Sequence, residues 1–450
     1  MSDPQRSNIT RIAQLLGAFD ARNTPRRSRD LLQEAGISQA TGFGLLRALV
    51  AAGWLERVDH GLFCLGARAA GLMFAPIEPR IALGEQPVQV VAVRSTPGGE
   101  PAAMLFRDNW RPDLATSVPT QQFAIDHPAR IGFANASLSN PWRRALLSSM
   151  QYAVSRNADR IEMFDVMTAD DDPAQQIGQI ERLIQAGIDL LIVSCPNVNS
   201  APLNSRLSEL AKAGLPILAV DRRPSDPSCL VSFVTSSDSR IGRTSAIWLV
   251  ERLKPGARVW MLSGVEGASP AIRRQAAALA VLSSSPNVMV EAVASTDWTA
   301  EGGYAAVDRL LEQAGRAPDA VWCDSGLQGL GSIRRFLSQG GTIPVHTGGD
   351  LNGMYKLALH HKLPFVAVDY PAAMGARAVE IALDILSGTP VPRRVEVQAP
   401  VIMPRGMETP SVRADFWAEM HVRWDLPDDA ILSQGPSLSN RKTQSQVGKL

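Results

Sequence analysis

From Arg130 to Val368 the chain alternates between short apolar runs and stretches with helical spacing, and this alternation restricts its fold more than any other feature. The runs Ile131–Ala134, Ile161–Phe164, Leu190–Val193, Ile217–Val220 and Val231–Val234 are too short for helices. They are largely apolar, as the strands of a covered parallel sheet are. Helical patterns intervene near Trp142–Ser155, Pro173–Ala186 and Leu203–Ala213. A second series follows: Val259–Leu262, Val288–Val293, Ala320–Trp322, Val345–Gly348 and Phe365–Val368. Its helices fall near Arg243–Leu253, Ala271–Ser283, Thr299–Ala314, Gly326–Ser338 and Gly353–His361, and another follows at Pro371–Ser387. Two sets of strands joined by crossover helices predict an α/β class with two doubly wound parallel sheets. The cleft between two such lobes is a natural ligand site.

The stretch Ala129–Arg143, ARIGFANASLSNPWRR without its last residue, opens the first lobe. Its strand ends in Asn135, Ser137, Ser139, Asn140 and Pro141, which are loop and cap formers. A strand that ends in a polar loop opening a helix is where open α/β sheets place ligands.

The first seventy residues follow a different pattern. Ile9, Ile12, Leu15, Leu16 and Phe19 recur at helical spacing. A second helix over Ser28–Ala35 stops at Gly36, and Ser38 caps a third over Gln39–Ala52, stopped by Gly53. Trp54–Val58, the turn Asp59-His60-Gly61 and Leu62–Leu65 read as a hairpin. Three helices and a hairpin make a winged helix-turn-helix. The segment holds nine Arg against six Asp and Glu, a balance of +3, although the whole chain carries only +1. Basic surface for nucleic acid is therefore local. Arg26 and Arg27 are candidates for phosphates; Ser38, Gln39 and Thr41 face base edges, and Arg47 meets a phosphate or guanine. Gly42 and Gly44 each weaken the third helix by roughly 1 kcal/mol relative to Ala and are read as allowing close backbone approach. A winged helix used only for protein contacts is the alternative.

The expected domains are therefore 1–70, the winged helix-turn-helix; 71–128, a connector with a hairpin around Thr96–Gly99; and 129–407, the two-lobed sensor. Lobe 1 takes about 130–236 and 371–387, and lobe 2 about 237–369 and 395–407, with crossings near Ser237, Tyr370 and Leu386–Val395. Residues 408–450 form an extension expected to be disordered from about Pro427, where Ser, Gln and Asn dominate.

Chemistry of other kinds is thinly represented. Cys64, Cys195, Cys229 and Cys323 are dispersed and form no C-x-x-C pair, which fits core residues in a reducing compartment. No apolar run approaches the ~18 residues of a membrane span. The start of the chain has no apolar stretch after a basic segment, so a cytoplasmic location is expected. His360 and His361 point about 100° apart on a helix and cannot share a metal. Gly264–Gly267 lacks the Lys-Ser/Thr of a phosphate loop, and no nucleophile signature is present. No enzyme activity, metal or cofactor is expected.

Two resemblances bear on this reading. The run ISQATGFGLLRALVAAGWLERVDHGLFCLG resembles the DNA-binding domain of the IclR family of bacterial regulators. Residues 129 to about 407 resemble the ribose-binding type of periplasmic sugar-binding protein, whose fold also serves as the effector domain of lactose-repressor-type regulators. The pieces that carry it are Ser139–Trp142, Leu215–Arg222, Ser237-Asp238, Gly264–Arg274, Gly349-Asp350 and Val368-Asp369. The resemblance implies ligand contacts from Asn140, Trp142, Asp221 and Arg222 in the first lobe and from Arg274, Trp298, Asp350 and Asp369 in the second. Carboxylates and guanidinium groups meet adjacent hydroxyls two at a time, and indole faces meet the C–H side of a sugar ring. Asp350 also reads as a helix cap, and Trp248, Trp260 and Trp322 as core. Asp324–Gly326 and Ser239 depart from the family pattern, which leaves open a ligand other than ribose. The expected protein is a dimeric or larger regulator that senses a sugar or polyol and reads a pseudo-palindromic operator. The alternative is a solute-binding protein serving sugar uptake.

Overall fold

The computed structural model describes residues 15–16, 18–19, 26–51, 54–59, 61–65, 91–92 and 117–436, and the side chain of Thr41 lies outside that description. The chain divides into two compact units, Met1–Val88 and Gln89–Leu450.

In the first unit, strand β1 (Arg26–Arg27) leads into helix α1 (Ser28–Glu34), and a turn at Gly36 leads to α2 (Gln39–Ala51). Strands β2 (Leu55–Asp59) and β3 (Leu62–Leu65) complete an antiparallel sheet of order β1-β3-β2. Gly36 and Gly61 both take positive φ, where glycine carries no Cβ penalty. Leu15, Phe19, Leu31, Leu32, Leu46, Leu49, Leu55 and Phe63 form its core. Gly42 is the point of closest approach: a Cβ there would lie 2.2 Å from the Leu32 side chain. Gly44 faces open space, so close packing explains only one of the two glycines. Of the expected first helix, Leu15, Leu16, Ala18 and Phe19 are described, and Ile9 and Ile12 lie outside the described residues.

The second unit begins with β4 (Val91–Ala92) and β5 (Ser117–Val118). The expected hairpin around Thr96–Gly99 lies outside the described residues apart from β4, which runs parallel to a strand of the second lobe. Lobe 1 holds β6 (Ala129–Asn135), α3 (Pro141–Arg156), β7 (Ile161–Thr168), α4 (Pro173–Gln185), β8 (Leu190–Val193), α5 (Ala201–Lys212), β9 (Ile217–Val220) and β10 (Ser232–Thr235). Lobe 2 holds α6 (Asp238–Arg252), β11 (Ala257–Ser263), α7 (Ser269–Ser284), β12 (Val288–Ser295), α8 (Ala300–Ala314), β13 (Ala320–Cys323), α9 (Gly326–Ser338), β14 (Val345–Gly348), α10 (Asn352–His360) and β15 (Phe365–Val368). The chain then returns to lobe 1 as α11 (Met374–Leu386), β16 (Val391–Pro392) and β17 (Arg394–Glu396). It ends in lobe 2 with β18 (Val401–Met403), β19 (Phe416–Trp417) and α12 (Ala418–His421).

The lobe 1 sheet is parallel throughout, in the order β17-β10-β9-β8-β6-β7. The lobe 2 sheet runs β19-β18-β15-β14-β13-β11-β12-β4, with β15 and β18 antiparallel. Helix α11 belongs to lobe 1 because it packs on α3, where a Cβ on Gly375 would lie 2.3 Å from the Leu146 carbonyl. Trp248, Trp260 and Trp322 are fully buried, as a core role requires.

Three segments cross between the lobes, after β10, after β15 and after β17. The third differs from the expectation of Leu386–Val395. Val395 pairs with Val234 in lobe 1, so the crossing lies between Glu396 and Val401. The expected disorder from Pro427 also fails through residue 436: Ile431 forms a bridge with Leu351, and Ala430 and Asp428 carbonyls accept from Asn352 and Gly353.

Candidate functional site

In both sheets the chain order reverses beside the first strand of the lobe, β6 or β11. Loops at the carboxyl ends of strands flanking such a reversal form a crevice. Here the two crevices face each other across about 310 Å³ of space that is partly open to solvent. Its walls are Asn140, Trp142, Arg143, Asp221, Arg274, Trp298, Ser325, Leu327, Asp350 and Tyr370.

On the lobe 1 side, Asn140 caps α3, its Oδ1 accepting from the Arg143 amide at 3.0 Å. The cap fixes the first turn of α3, which aims Trp142 and Arg143 into the cleft. Asp221 directly follows β9 and holds φ of 62°, a left-handed conformation uncommon outside glycine. Its Oδ2 lies 2.8 Å from Arg143 Nη2, and both side chains are buried. Arg143 Nη1 also donates to Ser194 Oγ (3.0 Å) and Asn135 Oδ1 (3.3 Å). Burial and the nearby Arg222 charge lower the Arg143 guanidinium to about 10, against the attraction of Asp221.

On the lobe 2 side, Trp298 and Asp350 also have positive φ, 51° and 71°. Left-handed backbone at non-glycine residues costs roughly 1–3 kcal/mol each and collects where a site demands it. Trp298 lies against Gly264, where a Cβ would come within 1.9 Å of the ring, and its Nε1 donates to Asp324 Oδ1 at 2.9 Å. Arg274 Nε donates to Asp238 Oδ1 at 2.9 Å, and the guanidinium lies 4.1 Å from the Tyr370 ring centroid. Burial opposes the Arg274 charge, but Asp238 and Asp324 outweigh it and raise its pKa. Burial raises the carboxyls of Asp238 and Asp324 in spite of Arg274. Asp350 is raised furthest, by burial and by the adjacent Asp369 charge.

Tyr370 lies in the second crossing and joins the two walls. Its ring stacks on Trp142 at 5.1 Å, its carbonyl accepts from Trp142 Nε1 at 2.7 Å, and its hydroxyl is 3.2 Å from Thr235 Oγ1. Burial and the Asp221 charge lift its phenol well above the ordinary value.

Six of the eight ligand residues expected from the sequence line this cavity: Asn140, Trp142, Asp221, Arg274, Trp298 and Asp350. Arg222 and Asp369 stand behind it. Arg222 Nη1 donates to Asp171 Oδ1 at 2.6 Å, with its guanidinium 5.3 Å from the Trp298 ring centroid. Asp369 has no exposed surface and accepts from the Tyr355 hydroxyl and the Asp350 amide on one oxygen, with His421 Nε2 3.0 Å from the other. Neither side chain lines the cavity in this structure, and both bond to neighbours of it. Asp350 is not a helix cap either, since Leu351 occupies that position and Asp350 Oδ1 accepts from the Tyr370 amide. Arg143, Ser325, Leu327 and Tyr370 escaped sequence reasoning. Arg143 directly follows the Asn140-Pro141-Trp142 signal, and that adjacency was the available clue.

In the first unit, Arg27, Ser38, Gln39 and Arg47 are exposed. Arg26 is tied to Glu34, 2.7 Å from Nη2, and to the Ala18 carbonyl.

A family model described as periplasmic binding protein domain matches residues 131–390, well over half of the chain. The chain belongs to the periplasmic binding protein domain family. A second model, described as a transcriptional regulator, AbiEi antitoxin, matches residues 27–66 and represents a different regulator family from the IclR type named above. The periplasmic binding protein domain is 26% identical over 268 residues to the ribose import binding protein of Bacillus subtilis, covering 59% of this chain and 84% of that protein. It is 25% identical over 179 residues to a xylitol-binding protein of Mycolicibacterium smegmatis, covering 40% of this chain and 50% of that one. Among solved structures it is similar to the fructose binding periplasmic domain of a hybrid two component system, with TM-score 0.57 and 23% identity over 62% of this chain and 92% of the other. A Bacillus halodurans solute binding protein with bound myo-inositol superposes with TM-score 0.57 at 20% identity, over 63% and 97%. These likenesses establish the two-lobed α/β fold. No helix among the described residues is long and apolar enough to cross a membrane.

Proposed function

We propose that this protein is a transcriptional regulator whose periplasmic-binding-protein-like domain captures a sugar or polyol. One observation carries the reading: the faces of Trp142, Trp298 and Tyr370 meet the planar polar groups of Arg143, Asp221, Arg274, Asn140 and Asp350 around one cavity, drawn from both lobes. A polyhydroxyl ring presents C–H faces and hydroxyl edges, and this lining complements both. The ligands in the relatives' names, ribose and xylitol, are of that chemistry. A solute contacting both walls stabilises the arrangement in which they meet, because only then are all its contacts made. Capture rather than turnover is the proposed activity, in keeping with relatives that are binding proteins.

The regulator half of the proposal rests on the AbiEi-type match and on two helices across a short turn beside a hairpin. In this reading α2 enters the major groove, with Ser38, Gln39 and Thr41 toward base edges and Arg47 and Arg27 on phosphates. Arg26, held by Glu34, is a weaker candidate. A homodimer in the cytoplasm would set two such heads on half-sites about 34 Å apart or a multiple of it. A thermal-shift screen of the full chain against sugars, polyols and their phosphates tests capture. Footprinting on upstream DNA with and without each hit tests the head, and no protected site under either condition would defeat the regulator reading. Service in sugar uptake is the second reading, favoured by the import protein among the relatives. Recovery of the protein outside the cytoplasm would decide for it.

A further inference from the structure

The family match ends at residue 390, yet the chain continues across lobe 2 and returns to the cavity. The buried Asn352 side chain anchors this extension. Its Nδ2 donates to the carbonyls of Arg423 (2.7 Å), Leu426 (3.2 Å) and Pro427 (3.1 Å), and its Oδ1 accepts from the Arg423 amide (3.0 Å). The segment then reaches the second crossing. Ser433 Oγ lies 3.1 Å from both Asp350 Oδ1 and the Tyr370 carbonyl, so its single proton is shared between these two acceptors, and the Ser433 carbonyl accepts from the Ala373 amide at 3.1 Å. One residue later Gln434 Nε2 meets Ser148 Oγ on α3 of lobe 1 at 3.4 Å. The extension also borders the mouth of the cleft, where Asp428 and Asp429 join Arg144, Glu301 and Arg334 around a further 760 Å³ of empty space.

We propose that residues 427–436 are an integral part of the binding site, a strap in which Ser433 positions Asp350 and holds the crossing at Tyr370–Ala373 with the two lobes together. The argument rests on where the bonds fall. Both side-chain hydrogen bonds to Asp350 are on Oδ1, one from the crossing and one from the strap. That fixes the carboxyl plane and presents Oδ2 for a ligand hydroxyl. Asp350 is buried, and a polar group there keeps one orientation only if its partners keep theirs. Ser433 is a positioning residue, acting on the ligand through Asp350. The ligand part of this inference rests on the preceding proposal; the coupling between strap and lobes does not.

A reporter of lobe contact lies away from the strap. The Val198 amide of lobe 1 donates to the Gly267 carbonyl of lobe 2 at 3.1 Å. Hydrogen exchange on the full chain without any sugar should show the Val198 amide exchanging about fivefold faster in Ser433→Ala, the factor expected for losing one ordinary hydrogen bond. Ser433→Thr, which keeps the hydroxyl, should restore the slow rate, and core amides such as Ile192 should not change. Faster exchange confined to residues 369–373 and 430–436, or no change anywhere, would overturn the strap. Where ribose, xylitol or myo-inositol binds the parent chain, Ser433→Ala should weaken it about fivefold as well, and equal affinity would remove Ser433 from the site. If none of the three binds, the sugar reading passes to the wider thermal-shift screen, while the exchange experiment still decides the strap.

Discussion

The two walls of the cleft solve the same problem with opposite balances of charge. Lobe 1 brings Arg143 and Arg222 to Asp221 and Asp171, so each buried guanidinium has a carboxylate within 2.8 Å. Lobe 2 buries Asp238, Asp324, Asp350 and Asp369 with Arg273 and Arg274 as the guanidinium groups near them. Burial holds the carboxyls of Asp238, Asp324 and Asp350 above the ordinary range, and Asp324 Oδ2 is buried with no side-chain hydrogen-bond partner among the described residues. The first wall is a set of matched pairs that is rigid on its own terms. The second is under-compensated, and its shape depends on neighbours brought in from the extension, His421 and Ser433. An unmatched acidic wall is a poor way to stabilise a fold and a good way to recognise hydroxyl donors.

Five substitutions, one of them followed across a pH series, would break or sharpen that contrast. Arg143→Ala strands a buried carboxylate in the matched wall and should cost about 3–5 kcal/mol of unfolding free energy in urea. A loss under about 1 kcal/mol would mean that the pairing is not what holds lobe 1 together. Asp221→Ala should reduce the affinity of whichever sugar binds by at least ~2 kcal/mol in calorimetry, since Arg143 and a ligand hydroxyl both lose their acceptor. Gly264→Ala drives a methyl into the Trp298 ring and should cost about 1–3 kcal/mol, with a change in tryptophan emission. The under-compensated wall predicts a pH effect of defined sign. Between the ordinary carboxylate range near ~4 and its raised value, folded Asp350 keeps a proton that the unfolded chain has lost. Its contribution to stability therefore declines as pH rises through that window. Asp350→Asn tolerates the same backbone angle and should flatten the decline in melting temperature. The smallest effect belongs to the first unit: Arg27→Ala should reduce the salt slope of DNA binding by about one unit, and an unchanged slope would exclude a phosphate contact there.

Much of this architecture is legible in the residue order, for a reason that also marks where legibility stops. A strand covered on both faces is apolar almost throughout, so buried strands such as Leu190–Val193, Ile217–Val220 and Phe365–Val368 stand out as runs. Strand β17 reads Arg-Val-Glu at the sheet edge, where that requirement lapses, and the third crossing is misplaced for that reason. Six cavity residues are legible because the resemblance to the ribose-binding type of protein implies them, and ligands in such sheets bind beyond strand ends. Asp369 and Arg222 also follow strand ends, but which side of a loop a side chain takes depends on partners far along the chain, Tyr355 and His421 for one and Asp171 for the other. The extension is polar enough to read as disordered, and its order through residue 436 comes from specific bonds such as those of Asn352, which leave no mark in composition.

Tyr370 carries a practical consequence. Its ring faces Trp142 and Arg274, its hydroxyl reaches Thr235 at the end of β10, and its carbonyl serves both Trp142 and Ser433. On the proposed function, selectivity and responsiveness meet at this one residue. Anyone converting this scaffold into a biosensor for a new analyte should leave that tyrosine alone and diversify Asn140 or Leu327 instead, because a swap at Tyr370 would retune the trigger along with the taste.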